Sequence, residues 1–174
     1  MIWIRRGEDM LHLYYGTGKG KTSAAIGLAL RMRGAGYRVQ WISYLKDGNS
    51  SEVTMLKQAG VNVVYRKMPT MFVNMHDPQM IKEVSELQQT LWESLDSQYD
   101  AIILDELLDV ITLHLINEET VFAKINGLKE STEIIMAGRQ PTHKFKQISD
   151  YSTEMKKHKH PYDKNLQARK GIEY

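Results

Sequence analysis

Residues 11–31 read LHLYYGTGKGKTSAAIGLALR, and this stretch decides the fold. Leu11–Tyr15 is a short apolar run of strand character, and Lys21–Met32 has the pattern of a helix. Between them Gly16-Thr17-Gly18-Lys19-Gly20-Lys21-Thr22-Ser23 forms a glycine-rich loop. Glycines allow the tight turn that aims successive N–H groups into one concavity, and the start of the following helix adds partial positive charge. In that context Lys21 is placed to reach the β- and γ-phosphates of a nucleotide, and the Thr22 hydroxyl to ligate magnesium. Tyr15 stands where the longer form of the motif has its first glycine, so the loop begins at Gly16 and is one residue shorter. The expected ligand is ATP, gripped by Gly16 to Ser23.

Outward from the loop, apolar runs at Val39–Leu45, Ala101–Leu104 and Glu133–Ala137, and a shorter one at Val61–Tyr65, read as further buried strands. Pro78–Leu95 places Met80, Val84, Leu87, Leu91 and Leu95 on one helix face, with Asp77 as its cap and Pro78 in its first turn. Glu118–Leu128 is another helix candidate. Strands alternating with helices predict an α/β fold: a mostly parallel sheet covered by helices on both faces. No repeat or linker interrupts residues 1–174, so one nucleotide-binding domain is expected, with a loop at 67–77 and a basic tail from 156.

Composition narrows the function. The 174 residues carry 23 basic and 21 acidic side chains, a net charge of +2, which argues against nucleic-acid binding through bulk charge. The absence of cysteine excludes disulfides and thiolate metal sites. No apolar run has the length of a membrane span. The start MIWIRRGEDM has charges where a signal peptide has its apolar stretch, so a cytoplasmic protein is expected.

Beyond the loop, Asp105 and Glu106 end the run AIILDE at the carboxyl end of a strand, on the edge that carries the phosphate loop. One of these two carboxylates can hold or orient magnesium, or cap a helix. Arg139 follows the strand Glu133–Ala137 on the same edge, where it can neutralise the far end of a triphosphate. Lys21 and Arg139 are the expected catalytic charges. The six histidines show no metal-ligand spacing. Composition alone reads Lys156–Tyr174 as a frayed basic end.

Taken in order, GTGKGKTSAAIGLALR, YLKDG, AIILDELL, AGRQPT, DYSTEMKKHKH and the closing QARKGIEY resemble the ATP:corrinoid adenosyltransferases, from Leu11 to Tyr174. The resemblance implies a RecA-like fold, commonly dimeric. It implies transfer of the 5′-deoxyadenosyl group of ATP to a Co(I) corrinoid with release of triphosphate. By position it puts Gly16 to Ser23 and Arg139 on the phosphates, Thr22 and Glu106 on magnesium, and the GIEY terminus near the active site. Co(I) is itself the nucleophile, so no side-chain base is needed, and an electron-donating flavoprotein is an implied partner. The sequence departs from the family at Thr17, at Ser43-Tyr44, and at MPTMFVNMHD, where the family has a Gly-Phe-Thr-Trp element pressing on the corrin. Phe72 and Trp92, with Met71 and Met75, are the side chains available for that contact. Two other readings use the same loop: an ATPase or kinase acting at the γ-phosphate, and a nucleotide-binding regulatory module.

Overall fold

The computed structural model describes residues 9–69 and 74–172. Among the described residues six strands form one parallel sheet: β1 (Leu11–Tyr15), β2 (Val39–Ser43), β3 (Asn62–Tyr65), β4 (Ala101–Asp105), β5 (Glu133–Gly138) and β6 (Tyr151–Glu154), in the order β3-β2-β4-β5-β1-β6. The connections carry α1 (Lys21–Gly34), α2 (Ser51–Gln58), α3 (Pro78–Glu93), α4 (Leu107–Thr112), α5 (Glu118–Leu128) and α6 (His143–Ile148), and a 3-10 turn follows at Pro161–Lys164. The expected parallel sheet with helices is thus present.

Side chains alternate across the strands, so each face of the sheet has its own core. On one face Trp41, Ile103 and Ile135 meet Ala25, Ala29 and Met32 of α1 and Leu56 of α2. On the other, Leu11, Leu13, Ile42, Ile102, Leu104, Ile134 and Met136 meet α3 through Val84 and Leu91, α5 through Val121 and Ile125, and α6 through Phe145. The four strands β1, β2, β4 and β5 are covered on both sides, which is why they read as near-continuous apolar runs.

Several boundaries differ from the sequence reading for local reasons. β2 ends at Ser43 because Leu45 turns into the left-handed region at φ 52, although Tyr44 is itself buried. α3 stops at Glu93, two residues short of Leu95. β6 was not expected at all: YSTE is polar and exposed throughout, an edge strand held by its ladder to β1. The predicted cap of α3 is present, Asp77 Oδ1 accepting from Gln79 N at 3.0 Å and Met80 N at 3.2 Å. Asp77→Ala should therefore lower stability by about 1 kcal/mol in urea unfolding, with activity unchanged.

Candidate functional site

The site lies along the carboxyl ends of β1, β5, β4 and β2, where Tyr15, Gly138, Asp105 and Ser43 close their strands. The loop leaves β1 through Gly16 at φ 114 and enters α1 through Gly20 at φ 121, conformations that only glycine adopts without strain. Gly20 is the N-cap of α1 and has no side chain to offer, so the first turn presents its backbone N–H groups for an anion. Lys21 folds back over the loop, its Nζ donating to Gly16 O and Gly18 O at 2.9 Å each.

Two backbone segments brace this loop. Gly16 N donates to Arg139 O at 2.9 Å, and Gly18 N donates to Met155 O at 2.6 Å. Met155 N in turn donates to Tyr15 O at 2.7 Å, so the chain leaving β6 passes directly against the glycines. A Cβ on Gly18 would meet Met155 O at 2.6 Å, which explains a glycine there independently of any phosphate. Arg139 is held by its own N–H, which donates to Asp109 Oδ2 at 2.8 Å, while its guanidinium stays 81% exposed and near Asp109 at 3.8 Å. That guanidinium is on the correct edge and has freedom to swing.

The carboxylate hydrogen-bonded to the loop is Asp105. Thr22 Oγ1 donates to Asp105 Oδ1 at 3.1 Å, and Lys46 Nζ donates to Asp105 Oδ2 at 2.5 Å. Glu106 takes a left-handed conformation (φ 67) as the cap residue of α4 and turns its carboxyl toward Asp109. Burial, with Asp105 and Asp109 close by, pushes its pKa up to about 8. Lys46 experiences the opposite balance. Burial works against its charge, but Asp105, Glu106 and Glu52 outweigh that and raise its pKa.

Because Glu106 binds its proton more tightly folded than unfolded, it contributes stability fully present below the carboxyl's ordinary range. That contribution is lost as pH rises through about 8. Glu106→Gln removes the titration, so its melting temperature should fall less than the wild type's between pH 6 and 9. Parallel melting curves across that interval would contradict the assignment.

The remaining expected residues separate. Lys19 Nζ donates to Ile172 O at 2.7 Å, and Gly171 and Ile172 line a cavity of about 180 Å³ with Thr22, Ser23, Ile26, Lys46, Ser51 and Glu52. The terminal segment therefore reaches the loop, as the resemblance implies and composition does not. Trp92 is a correction. It is 3% exposed, in the core beside Val84 and Leu91, with Lys124 over its ring at 5.1 Å. α3 runs back across the sheet toward the start of β4, so its last turn lies at the edge opposite the phosphate loop. Its ring is closed to a flat ligand. Phe72 and Met71 lie outside the described residues; Met75 is 37% exposed.

A family model for the ATP:corrinoid adenosyltransferases BtuR/CobO/CobP matches residues 7–174. The chain belongs to that family. Membership makes it an ATP-dependent transferase with ATP and a corrinoid as substrates. It is 28% identical to the corrinoid adenosyltransferase of Escherichia coli over 173 residues, 96% of this chain and 86% of that one. The corrinoid adenosyltransferase CobA of Salmonella typhimurium is 27% identical over the same shares. Among solved structures, the flagellar accessory protein FlaH of Methanocaldococcus jannaschii superposes with a TM-score of 0.56 at 17% identity, covering 84% of this chain and 71% of that one. The cytoplasmic domain of EssC gives 0.53 at 16%, covering 92% and 34%. These two share the fold, which is the RecA-like phosphate-loop arrangement expected from the sequence.

Lys46, Asp109 and Met155 were missed as site residues. Lys46 had a signal in YLKDG, at the carboxyl end of a buried strand on the same edge. Met155 acts through its carbonyl, which leaves no mark in a sequence beyond the glycines it touches.

Proposed function

We propose that one nucleotide-binding domain carries the family's adenosyl transfer with Gly16 to Ser23 on the triphosphate, Lys21 and Arg139 as its charge partners, and Thr22 with Asp105 as the magnesium ligands. The observation that carries this is the triad of Thr22 Oγ1, Asp105 and Lys46 Nζ at the mouth of the loop. A hydroxyl and a carboxylate side by side are hard oxygen donors, and an ammonium already rests on them, so the pair accepts a cation. Among the described residues no cluster of three or more His, Cys, Asp or Glu could hold a metal. Magnesium needs none, because one or two protein oxygens suffice when phosphates supply the rest. Bound there, magnesium would neutralise charge on the departing triphosphate.

In the reaction the cobalt lone pair forms a bond to C5′ of the ribose as the C5′–O bond breaks and the triphosphate leaves. The protein's part is to orient C5′ against cobalt and to stabilise the leaving charge through the loop N–H groups, Lys21 and Arg139. Phe72 remains the residue proposed for contact with the corrin, without Trp92. No helix among the described residues is long and apolar enough to cross a membrane. We take the protein to be a cytoplasmic homodimer that receives its electron from a flavoprotein.

The test is product identity. With ATP, magnesium and a reduced corrinoid, chromatography should find triphosphate; ADP with phosphate would favour hydrolysis, and unchanged ATP a binding module. The terminal segment adds a second expectation. The cavity of about 180 Å³ beneath Gly171 and Ile172 is smaller than the ~300 Å³ at which ligand pockets begin. On this reading the segment opens to admit ATP and closes over it. Deletion from His158 onward should leave the melting temperature nearly unchanged and cut transfer by at least about tenfold. Full activity in the truncated protein would remove that role.

A further inference from the structure

The carboxyl edge of the sheet carries a lysine that the phosphate-loop motif does not account for. Lys46 lies in the connection from β2 to α2. Its Nζ is 2.5 Å from Asp105 Oδ2, 3.5 Å from Thr22 Oγ1 and 3.7 Å from Glu52 Oε1. It thus sits on the oxygen pair assigned above to the metal.

The connection that presents it is built for the purpose. Leu45 is held at φ 52, a region costly for a leucine, and its N–H donates at 3.1 Å to Oε1 of the fully buried Gln88 on α3. Asp47 accepts from Asn49 N at 3.0 Å and from its Nδ2 at 2.8 Å. A Cβ on Gly48, at φ 80, would meet the ring of Tyr65 at 2.1 Å. A strained residue held by a buried side chain beside a site is a reason to seek a function for its neighbour.

We propose that Lys46 is a placeholder cation: its ammonium occupies the Thr22–Asp105 pair in the nucleotide-free protein and yields it to a divalent ion only when a polyphosphate arrives to take the ammonium in exchange. The inference rests on the assignment of magnesium to Thr22 and Asp105. An ammonium and a divalent ion held together on the one Asp105 carboxylate would repel strongly where water is scarce. Turning the ammonium away without an anion to receive it is costly in a partly buried site. A triphosphate supplies that anion within the reach of the same side chain. Free metal is therefore refused, and metal and nucleotide enter together.

The test measures manganese binding to nucleotide-free protein by electron paramagnetic resonance. Lys46→Met keeps most of the stem and removes the charge. The variant should take Mn2+ at least about tenfold more tightly than wild type without nucleotide, yet bind Mn2+ with ATP more weakly. Equal Mn2+ affinity in the two proteins overturns the proposal. If Lys46→Met does not fold, wild-type protein with 13C-methylated lysines gives the answer. The Lys46 methyl resonance should stay in place with Mg2+ alone and move with Mg2+ and ATP. Movement with Mg2+ alone, or with neither, overturns the proposal. Calorimetry of ATP binding to wild type separates the two levels. Normal ATP binding beside a failed placeholder leaves the nucleotide site intact, whereas no ATP binding removes both.

Discussion

Lys21→Ala should bind ATP about thirty- to about a hundredfold more weakly than wild type and show no measurable transfer. The side chain already bridges Gly16 O and Gly18 O at 2.9 Å, so its ammonium is held within the concavity where the phosphates are assigned. A charge-assisted contact removed from a partly buried site costs about 2–3 kcal/mol, the size of that loss in affinity. The fold should survive. α1 is anchored by Ala25, Ala29 and Met32 on its buried face, none of which Lys21 supports. Calorimetry that finds wild-type ATP affinity in Lys21→Ala would remove the phosphate assignment.

Asp105→Asn is the second large effect, and it acts on both stability and metal dependence. Asp105 is 0% exposed and joins the Thr22 hydroxyl to the Lys46 ammonium. Asparagine keeps the shape, removes the charge, and leaves Lys46 with Glu52 at 3.7 Å and with Glu106, whose pKa burial raises. Breaking a buried pair on one side costs about 3–5 kcal/mol; with Lys46 25% exposed, a loss nearer about 2 kcal/mol is expected. The magnesium needed for half-maximal activity should rise at least about tenfold, since one of two protein ligands has lost its charge. Glu106→Gln is the contrast, because it keeps the Thr22–Asp105 pair intact. Wild-type melting and magnesium dependence in Asp105→Asn would show that the carboxylate is not the metal's partner.

How much the sequence discloses depends on where each piece draws its stability. The four covered strands and the loop were legible because burial on both faces leaves continuous apolar runs, and because glycines followed by Lys21 and Thr22 open a helix. The cap at Asp77 was legible because its partners are two and three residues away. β6 was not, since Tyr151–Glu154 gains its place from the backbone of β1 rather than from apolar side chains. Neither was the bonding of Asp105, rather than Glu106, to Thr22 and Lys46. Adjacent carboxylates look alike in sequence, and only the left-handed turn at Glu106 sends the second one toward Asp109. The pairing of Lys46 with Asp105 spans 59 positions and has no local pattern. Trp92 misled because an aromatic near the methionine-rich loop looks available, until α3 is seen to carry it to the far edge of the sheet.

Adenosyl transfer through this site is tested most directly by following the corrinoid. Wild-type protein is incubated with ATP, Mg2+ and a chemically reduced Co(I) corrinoid, and the visible spectrum is recorded before and after illumination. A light-sensitive cobalt–carbon product should accumulate with wild type, with one triphosphate released per product, and should be absent with Lys21→Ala. ATP consumed to ADP and phosphate, with no light-sensitive product from wild type, would contradict the account.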